Sequence, residues 1–366
     1  MGYNTGGRHL QPRPWSVDIL PPAAFFDPGI STPVLDVRTP AEFTQGHVPG
    51  AVNLPLFSDE QRHHVGLTYK QASPREAFLL GLAYVGPQLA HFVQSALALA
   101  PEGRLRLYCW RGGQRSRSMA WLFAQAGMRP QVLEGGYKAF RHHAALALGA
   151  DTPLAVVGGN TGSGKTEILR ELARRGEQVL DLEALAHHRG SAFGALGLPP
   201  QPSNEQFLNL VWDQFRRRDP QRILWVEDES LCIGRVTVPD ALFARMKQTP
   251  VWHLTAPTHL RVEHLLTLYG VQDRAAIADA LQRIKKRLGP GELAAALEEL
   301  TRNDLPAVAR RLLGYYDKLY HHSLHRKEFH LILPLTLDPP PDHWQDWVQR
   351  AANLLQEQVH GIHQAH

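Results

Sequence analysis

The chain has 366 residues, of which 43% are hydrophobic and 20% charged; it is long enough for two α/β domains with separate cores, and no long single-sign run marks a disordered tail. A formal net charge of +4 favours an anionic partner without identifying it. Two cysteines, Cys109 and Cys232, exclude a disulfide framework and fit a reducing compartment, so a cytoplasmic protein is expected.

Residues 1–148 read as a first domain in which short β runs alternate with helical stretches. Pro33–Val37 is short, apolar and β-branched, as a buried strand is. Ala51–Leu54, Leu105–Tyr108 and Gln131–Leu133 are further strands, and Arg115 to Ala126 is a helix stopped by Gly127. Strands separated by helices imply a mostly parallel sheet, with the site in loops at the strands' carboxyl ends. Cys109 falls at such a place, opening the loop Cys109-Trp110-Arg111-Gly112-Gly113-Gln114-Arg115-Ser116. Gly112 and Gly113 let successive N–H groups turn inward as an anion nest, and the following helix adds its positive end. Arg111 and Arg115 add full charges, so Cys109, Arg111 and Arg115 are the expected catalytic group, with the thiolate as nucleophile. Cys109 and Arg115 also satisfy the Cys-x5-Arg spacing of cysteine phosphatases, although Tyr108 stands where those enzymes have histidine.

The stretch Asp36-Val37-Arg38-Thr39-Pro40-Ala41-Glu42-Phe43, then Gly46-His47-Val48-Pro49-Gly50-Ala51-Val52-Asn53-Leu54-Pro55, resembles a rhodanese domain, as does Leu133-Glu134-Gly135-Gly136-Tyr137. The resemblance implies that Cys109 carries a persulfide or perselenide, while Asp36, Arg38 and Glu42 brace the fold.

Residues 149–366 read as a second domain after the break Gly149–Pro153. The strand Leu154–Val157 runs into Gly159-Asn160-Thr161-Gly162-Ser163-Gly164-Lys165-Thr166, and a helix follows from Thr166 to Arg174. Strand, Gly-x-x-x-x-Gly-Lys-Thr and helix together make a P-loop: backbone N–H groups wrap phosphates, Lys165 neutralises charge, and Thr166 can ligate Mg2+. The strand Ile223–Val226 leads into Glu227-Asp228-Glu229-Ser230, where Asp228 and Glu229 are candidates for Mg2+ or acid–base work. Asp181-Leu182-Glu183 closes another strand. The stretch His187 to Gly194 then offers His188, Arg189 and Ser191, with Arg235 further on, as substrate contacts. Cys232 lacks any comparable cradle and reads as structural.

From Asp273 to His322 the pattern is helical and basic, with Arg283, Lys285, Lys286, Arg287, Arg302, Arg310, Arg311 and Lys318. Tyr315, Tyr316 and Tyr320 interleave; this suits RNA, and helical spacing equally suits a core. The twenty histidines, including the pairs His63–His64, His142–His143, His187–His188 and His321–His322, show no zinc spacing with cysteine, so no structural metal is expected. No basic segment leading into an apolar core and no run of about eighteen apolar residues occurs, so neither a secretory leader nor a membrane span is expected.

A rhodanese-like parallel-sheet domain followed by a P-loop NTPase-like α/β domain with a helical C-terminal part resembles the bacterial tRNA 2-selenouridine synthases. Cys109–Ser116, Gly159–Thr166, His188–Gly194 and Glu227–Gly234 carry the resemblance, with Leu231 and Cys232 standing where polar residues are expected. It implies a transferase acting on wobble 2-thiouridine of tRNA with geranyl diphosphate and then selenophosphate, through an S-geranyl intermediate, and a selenophosphate synthetase as a partner. The motifs alone also admit an ATP-dependent sulfurtransferase or kinase fused to a rhodanese domain.

Overall fold

The structure is a computed structural model of the chain and describes residues 17–27, 29, 32–326 and 331–364, with side chains given up to residue 319 and from 331 to 362. The chain divides into two compact units, 1–144 and 145–366. The division falls within the helix Gly136–Ala147, a few residues before the expected boundary.

The first unit is built on β1 (Asp18–Leu20), β2 (Val34–Asp36), β3 (Val52–Asn53), β4 (Arg104–Tyr108) and β5 (Arg129–Leu133). They form one parallel sheet in the order β1-β5-β4-β2-β3. β4 is the middle strand and is buried from Leu105 to Tyr108. That burial includes Arg106, whose guanidinium donates to the Phe25 carbonyl at 2.5 Å and to Gln131 Oε1 at 3.2 Å. Leu35, Leu105, Leu107, Phe92, Met119 and Phe123 pack as the core.

The second unit holds β6 (Leu154–Gly159), β7 (Gln178–Leu180), β8 (Leu224–Glu227), β9 (Cys232–Ile233), β10 (Val236–Thr237), β11 (Val251–Leu254) and β12 (Ile332–Leu335). Five are parallel in the order β12-β11-β6-β8-β7, and β9 and β10 make a separate antiparallel hairpin. The strand expected to close at Asp181–Glu183 instead ends at Leu180: Asp181 accepts from the Ala184 N–H and caps the helix Leu182–Ala186. Short polar side chains that bond their own backbone start helices rather than continue strands.

The helices Lys165–Arg174 and Trp344–Gln364 pack on each other, with Leu169, Trp225, Trp252 and Trp347 in the shared core. A separate helical core lies beyond the sheet, on the helices Arg274–Arg283, Pro290–Thr301 and Leu305–Arg326. Tyr315 and Tyr316 pack against this core, so helical spacing places them in apolar surroundings rather than on an open face. The side chains of Tyr320, His321 and His322 lie outside the described residues.

Each sheet places its middle strand, β4 or β6, directly before one of the two anion loops. Strands fed from both sides leave a crevice at the carboxyl end of the strand where the order reverses, and both loops sit at such a point.

Candidate functional site

Cys109 follows β4 directly and is 3% exposed. Its Sγ lies 3.2 Å from Ser116 Oγ, and that hydroxyl reaches the Gly113 carbonyl at 3.3 Å. The loop is held from behind by the Leu133–Tyr137 segment. Tyr137 N donates to Cys109 O at 2.8 Å and Lys138 N to Trp110 O at 3.0 Å. Space there is minimal: a Cβ on Gly112 would lie 2.8 Å from Leu133 O, and Gly112 has φ +64.

Arg115 points its charge at the Glu42 carboxylate, with contacts of 2.6 and 3.2 Å. Burial pushes the Glu42 carboxyl up, but Arg115, helped by the Thr39 N–H and by Arg38, outweighs it and holds the group below the usual range. Arg115 thus clamps the helix Pro40–Gln45 to the loop, while Arg111 stays exposed. Beneath them Asp36 and Arg38 form a fully buried ion pair at 2.6 Å. The Arg38 guanidinium also lies 3.8 Å above the Tyr137 ring. Ser116, Glu42 and Arg38 therefore support the cysteine loop, and of these only Ser116 lies within the loop motif.

In the second unit Gly164 (φ +83) opens the helix Lys165–Arg174, and a Cβ there would strike the Trp344 ring. Lys165 Nζ donates to Gly159 O at 3.1 Å. Three contacts from distant helices fix the loop. Trp347 Nε1 donates to Ser163 O at 2.9 Å, Arg261 Nε to Thr161 O at 2.9 Å, and Asn160 Nδ2 to Asp317 Oδ1 at 3.0 Å. Ser163 Oγ is buried and has no protein partner.

Thr166 Oγ1 donates to Glu183 Oε2 at 2.9 Å, and a Cβ on Gly190 would meet Glu183 and Glu229 oxygens both at 3.1 Å. Glu227, fully buried at the end of β8, accepts from Glu183 N at 2.8 Å. Crowding and burial raise all three acids: burial first and then Glu183 push Glu229 up to about 8, although Lys165 opposes it. Glu183 carries no local signal of this role, because its partner Thr166 lies seventeen positions away in the chain. Among the described residues no three His, Cys, Asp or Glu side chains come together as a metal cage.

A cavity of about 750 Å³ opens over this group. Gly159, Thr161, Gly162, Gly164, Lys165 and Thr166 line its head, joined by Glu183, Arg189, Ser191, Asp228 and Glu229. Asp228 Oδ1 is 3.9 Å from Lys247 Nζ, a cavity residue that the sequence did not single out. His264 is another: buried, stacked on Trp344 with centroids 4.1 Å apart, and 3.2 Å from Glu167. Leu265, Leu266, Ile277, Val308 and Leu312 add an aliphatic part to the lining, with Tyr269 and Tyr316 beside them.

Other expected contacts fall outside the cavity. His188 is buried behind Gly194 and Gly234. The Arg235 side chain is exposed on the β9–β10 hairpin, and its N–H donates to Gln201 Oε1 at 2.8 Å. Asn160 turns its amide to Asp317 rather than to the cavity.

The sequence carries two family signatures. The model for the tRNA 2-selenouridine synthase AAA domain matches residues 152–345, and that for the rhodanese-like domain matches residues 25–143. Among similar curated proteins, the tRNA 2-selenouridine synthase of Bordetella bronchiseptica is 40% identical over 342 residues, covering 82% of this chain and 90% of the relative. Those of Sulfurovum sp. (36% identical, 81% of this chain and 90% of the relative) and Shewanella sediminis (32% identical, 87% and 95%) match over a similar extent. With a rhodanese-like unit presenting Cys109 and a P-loop unit presenting Lys165, the chain belongs to the tRNA 2-selenouridine synthase family and is an enzyme of that type.

Proposed function

We propose that this enzyme converts 2-thiouridine at the wobble position of tRNA to 2-selenouridine in two steps. Geranyl diphosphate first alkylates the sulfur of the base. Selenium derived from selenophosphate and handled at Cys109 then replaces the geranylthio group.

The observation that carries this reading is the two-sided character of one cavity. Its head is a P-loop, and much of the remaining lining is aliphatic, with Leu265, Leu266, Ile277, Val308 and Leu312. A diphosphate with an apolar chain matches both parts. In the first step the thiocarbonyl sulfur attacks the C1 carbon of the geranyl group. The carbon–oxygen bond breaks, and the electron pair leaves with diphosphate. Backbone N–H groups of residues 160–164 and the Lys165 ammonium can receive the charge that develops on that oxygen.

A magnesium ion suits the same place. Thr166 Oγ1, Glu183 and Glu229 would hold it with water and diphosphate oxygens, since Mg2+ takes few protein ligands beside a phosphate. Bound there, it would add positive charge to the leaving diphosphate.

The cysteine loop suits the second step. Ser116 beside the sulfur, the Gly112–Gly113 backbone and the exposed Arg111 offer donors to an anionic selenium donor. Removal of sulfur is easier once it is alkylated, because a thioether sulfur leaves as a thiolate. The exposed cations Arg283, Lys285, Lys286 and Arg287 suit a tRNA substrate, and a selenophosphate synthetase is a natural donor-side partner in the cytoplasm.

Equilibrium binding of geranyl diphosphate and of ATP to the purified protein tests the reading. Geranyl diphosphate should bind, and ATP should compete poorly. Tight ATP binding that geranyl diphosphate cannot displace would favour a nucleotide-driven sulfurtransferase or kinase.

A further inference from the structure

The apolar wall of the cavity has an order along one helix. Leu305, Val308, Ala309, Leu312, Leu313 and Tyr316 line it, all on the helix Leu305–Arg326. Their spacing of three and four residues places them on one face. The next residue, Asp317, ties that helix to the phosphate loop. It accepts from Asn160 Nδ2 at 3.0 Å and from the Arg261 guanidinium at 2.7 and 2.9 Å.

The stripe therefore starts at the phosphates and runs away from them. At about 1.5 Å per residue, Ala309 stands roughly 12 Å and Leu305 roughly 18 Å along the axis from Asp317. The helix Thr258–Tyr269 flanks the arm, and it too is seated on the loop: a Cβ on Gly162 would meet Leu265 Cγ at 3.4 Å. Two apolar clusters draw on this helix. Ala309 and Leu313 pack with Val262, while Val308 and Leu312 pack with Ile277.

We propose that this arm measures the hydrocarbon chain of an isoprenyl diphosphate, and that Ala309 sets the number of isoprene units admitted. The proposal rests on the assignment of the cavity to such a donor. Each isoprene unit adds four carbon–carbon bonds of about 1.5 Å, an advance of roughly 5 Å. Two units held from the P-loop end beside Ala309, and a third must pass it toward Leu305. Ala309 is 7% exposed and has the smallest side chain of the stripe, so a larger group there closes the arm.

The test is calorimetric binding of inorganic diphosphate and of dimethylallyl, geranyl and farnesyl diphosphates to the full chain. Wild type, Ala309→Phe and Leu305→Ala are compared. Ala309→Phe should keep its affinity for inorganic and dimethylallyl diphosphates and lose about tenfold or more for geranyl diphosphate. Leu305→Ala should shift the farnesyl-to-geranyl ratio toward farnesyl. Equal weakening of every chain length in Ala309→Phe, or none, with diphosphate binding intact, overturns the ruler. If Ala309→Phe does not fold, Leu305→Ala decides alone, and an unchanged ratio overturns it. A wild type that binds inorganic diphosphate but no isoprenyl diphosphate overturns the donor assignment itself, a result distinct from the others.

Discussion

Gly136 stands so close to Cys109 that a Cβ on it would lie 2.3 Å from the Cys109 carbonyl oxygen and 2.4 Å from the Gly112 nitrogen. Its φ of +60 is also one that only glycine adopts freely. The cysteine loop is thus moulded against the start of the helix Gly136–Ala147, and the Gly-Gly pair after β5 is part of the site's wall.

Gly136→Ala should therefore cost about 2–4 kcal/mol, from the strained backbone and the forced displacement of the loop together. Differential scanning calorimetry should show the loss. Nucleoside analysis should show selenation abolished while S-geranylation persists, because the P-loop unit is untouched.

The Glu42–Arg115 pair gives the first unit an acid sensitivity. Glu42 is held below its ordinary value of 4.5, so its contribution is fully present above that pH and is lost as pH falls through the lowered value. With side chains 14% and 27% exposed, the pair is partly screened. Glu42→Gln should cost about 1–2 kcal/mol at neutral pH. Urea unfolding of both proteins at neutral and acid pH measures this, and the gap between them should narrow only below 4.5.

Asp317 supports the phosphate loop rather than touching a ligand. Asp317→Ala leaves the buried Arg261 guanidinium, 4% exposed, without its carboxylate. Discounted for the partial exposure of Asp317 itself, the cost should be about 1–3 kcal/mol. Inorganic diphosphate affinity should fall with it, as calorimetry would show. Asp317→Asn, which keeps an oxygen for Asn160, should recover part of both.

Much of this was legible in the residues. The strands at Pro33–Val37, Leu105–Tyr108, Gln131–Leu133, Leu154–Val157 and Ile223–Val226 are short and mostly apolar, and each overlaps an observed strand. Both anion loops also declare themselves locally, since glycine spacing and a following helix are properties of neighbouring positions. What supports the loops was not legible. Asn160 meets Asp317 across 157 positions, and Trp347 meets Ser163 across 184. No local pattern encodes such pairings. Glu183 is hidden for a different reason: Asp181 follows an apolar strand run, yet its carboxylate accepts from the Ala184 N–H and starts a helix that carries Glu183. The apolar arm draws its stripe from a helix whose tyrosines read equally well as an RNA-stacking face.

The division of labour between the two loops is tested most directly by mass spectrometry of nucleosides from 2-thiouridine tRNA. The tRNA is incubated with geranyl diphosphate and selenophosphate, separately and together. Lys165→Ala should lower S-geranylation at least about 100-fold, roughly 3 kcal/mol of lost charge stabilisation. Cys109→Ala should accumulate S-geranyl-2-thiouridine and form no 2-selenouridine. Full selenation by Cys109→Ala, or undiminished geranylation by Lys165→Ala, would contradict the account.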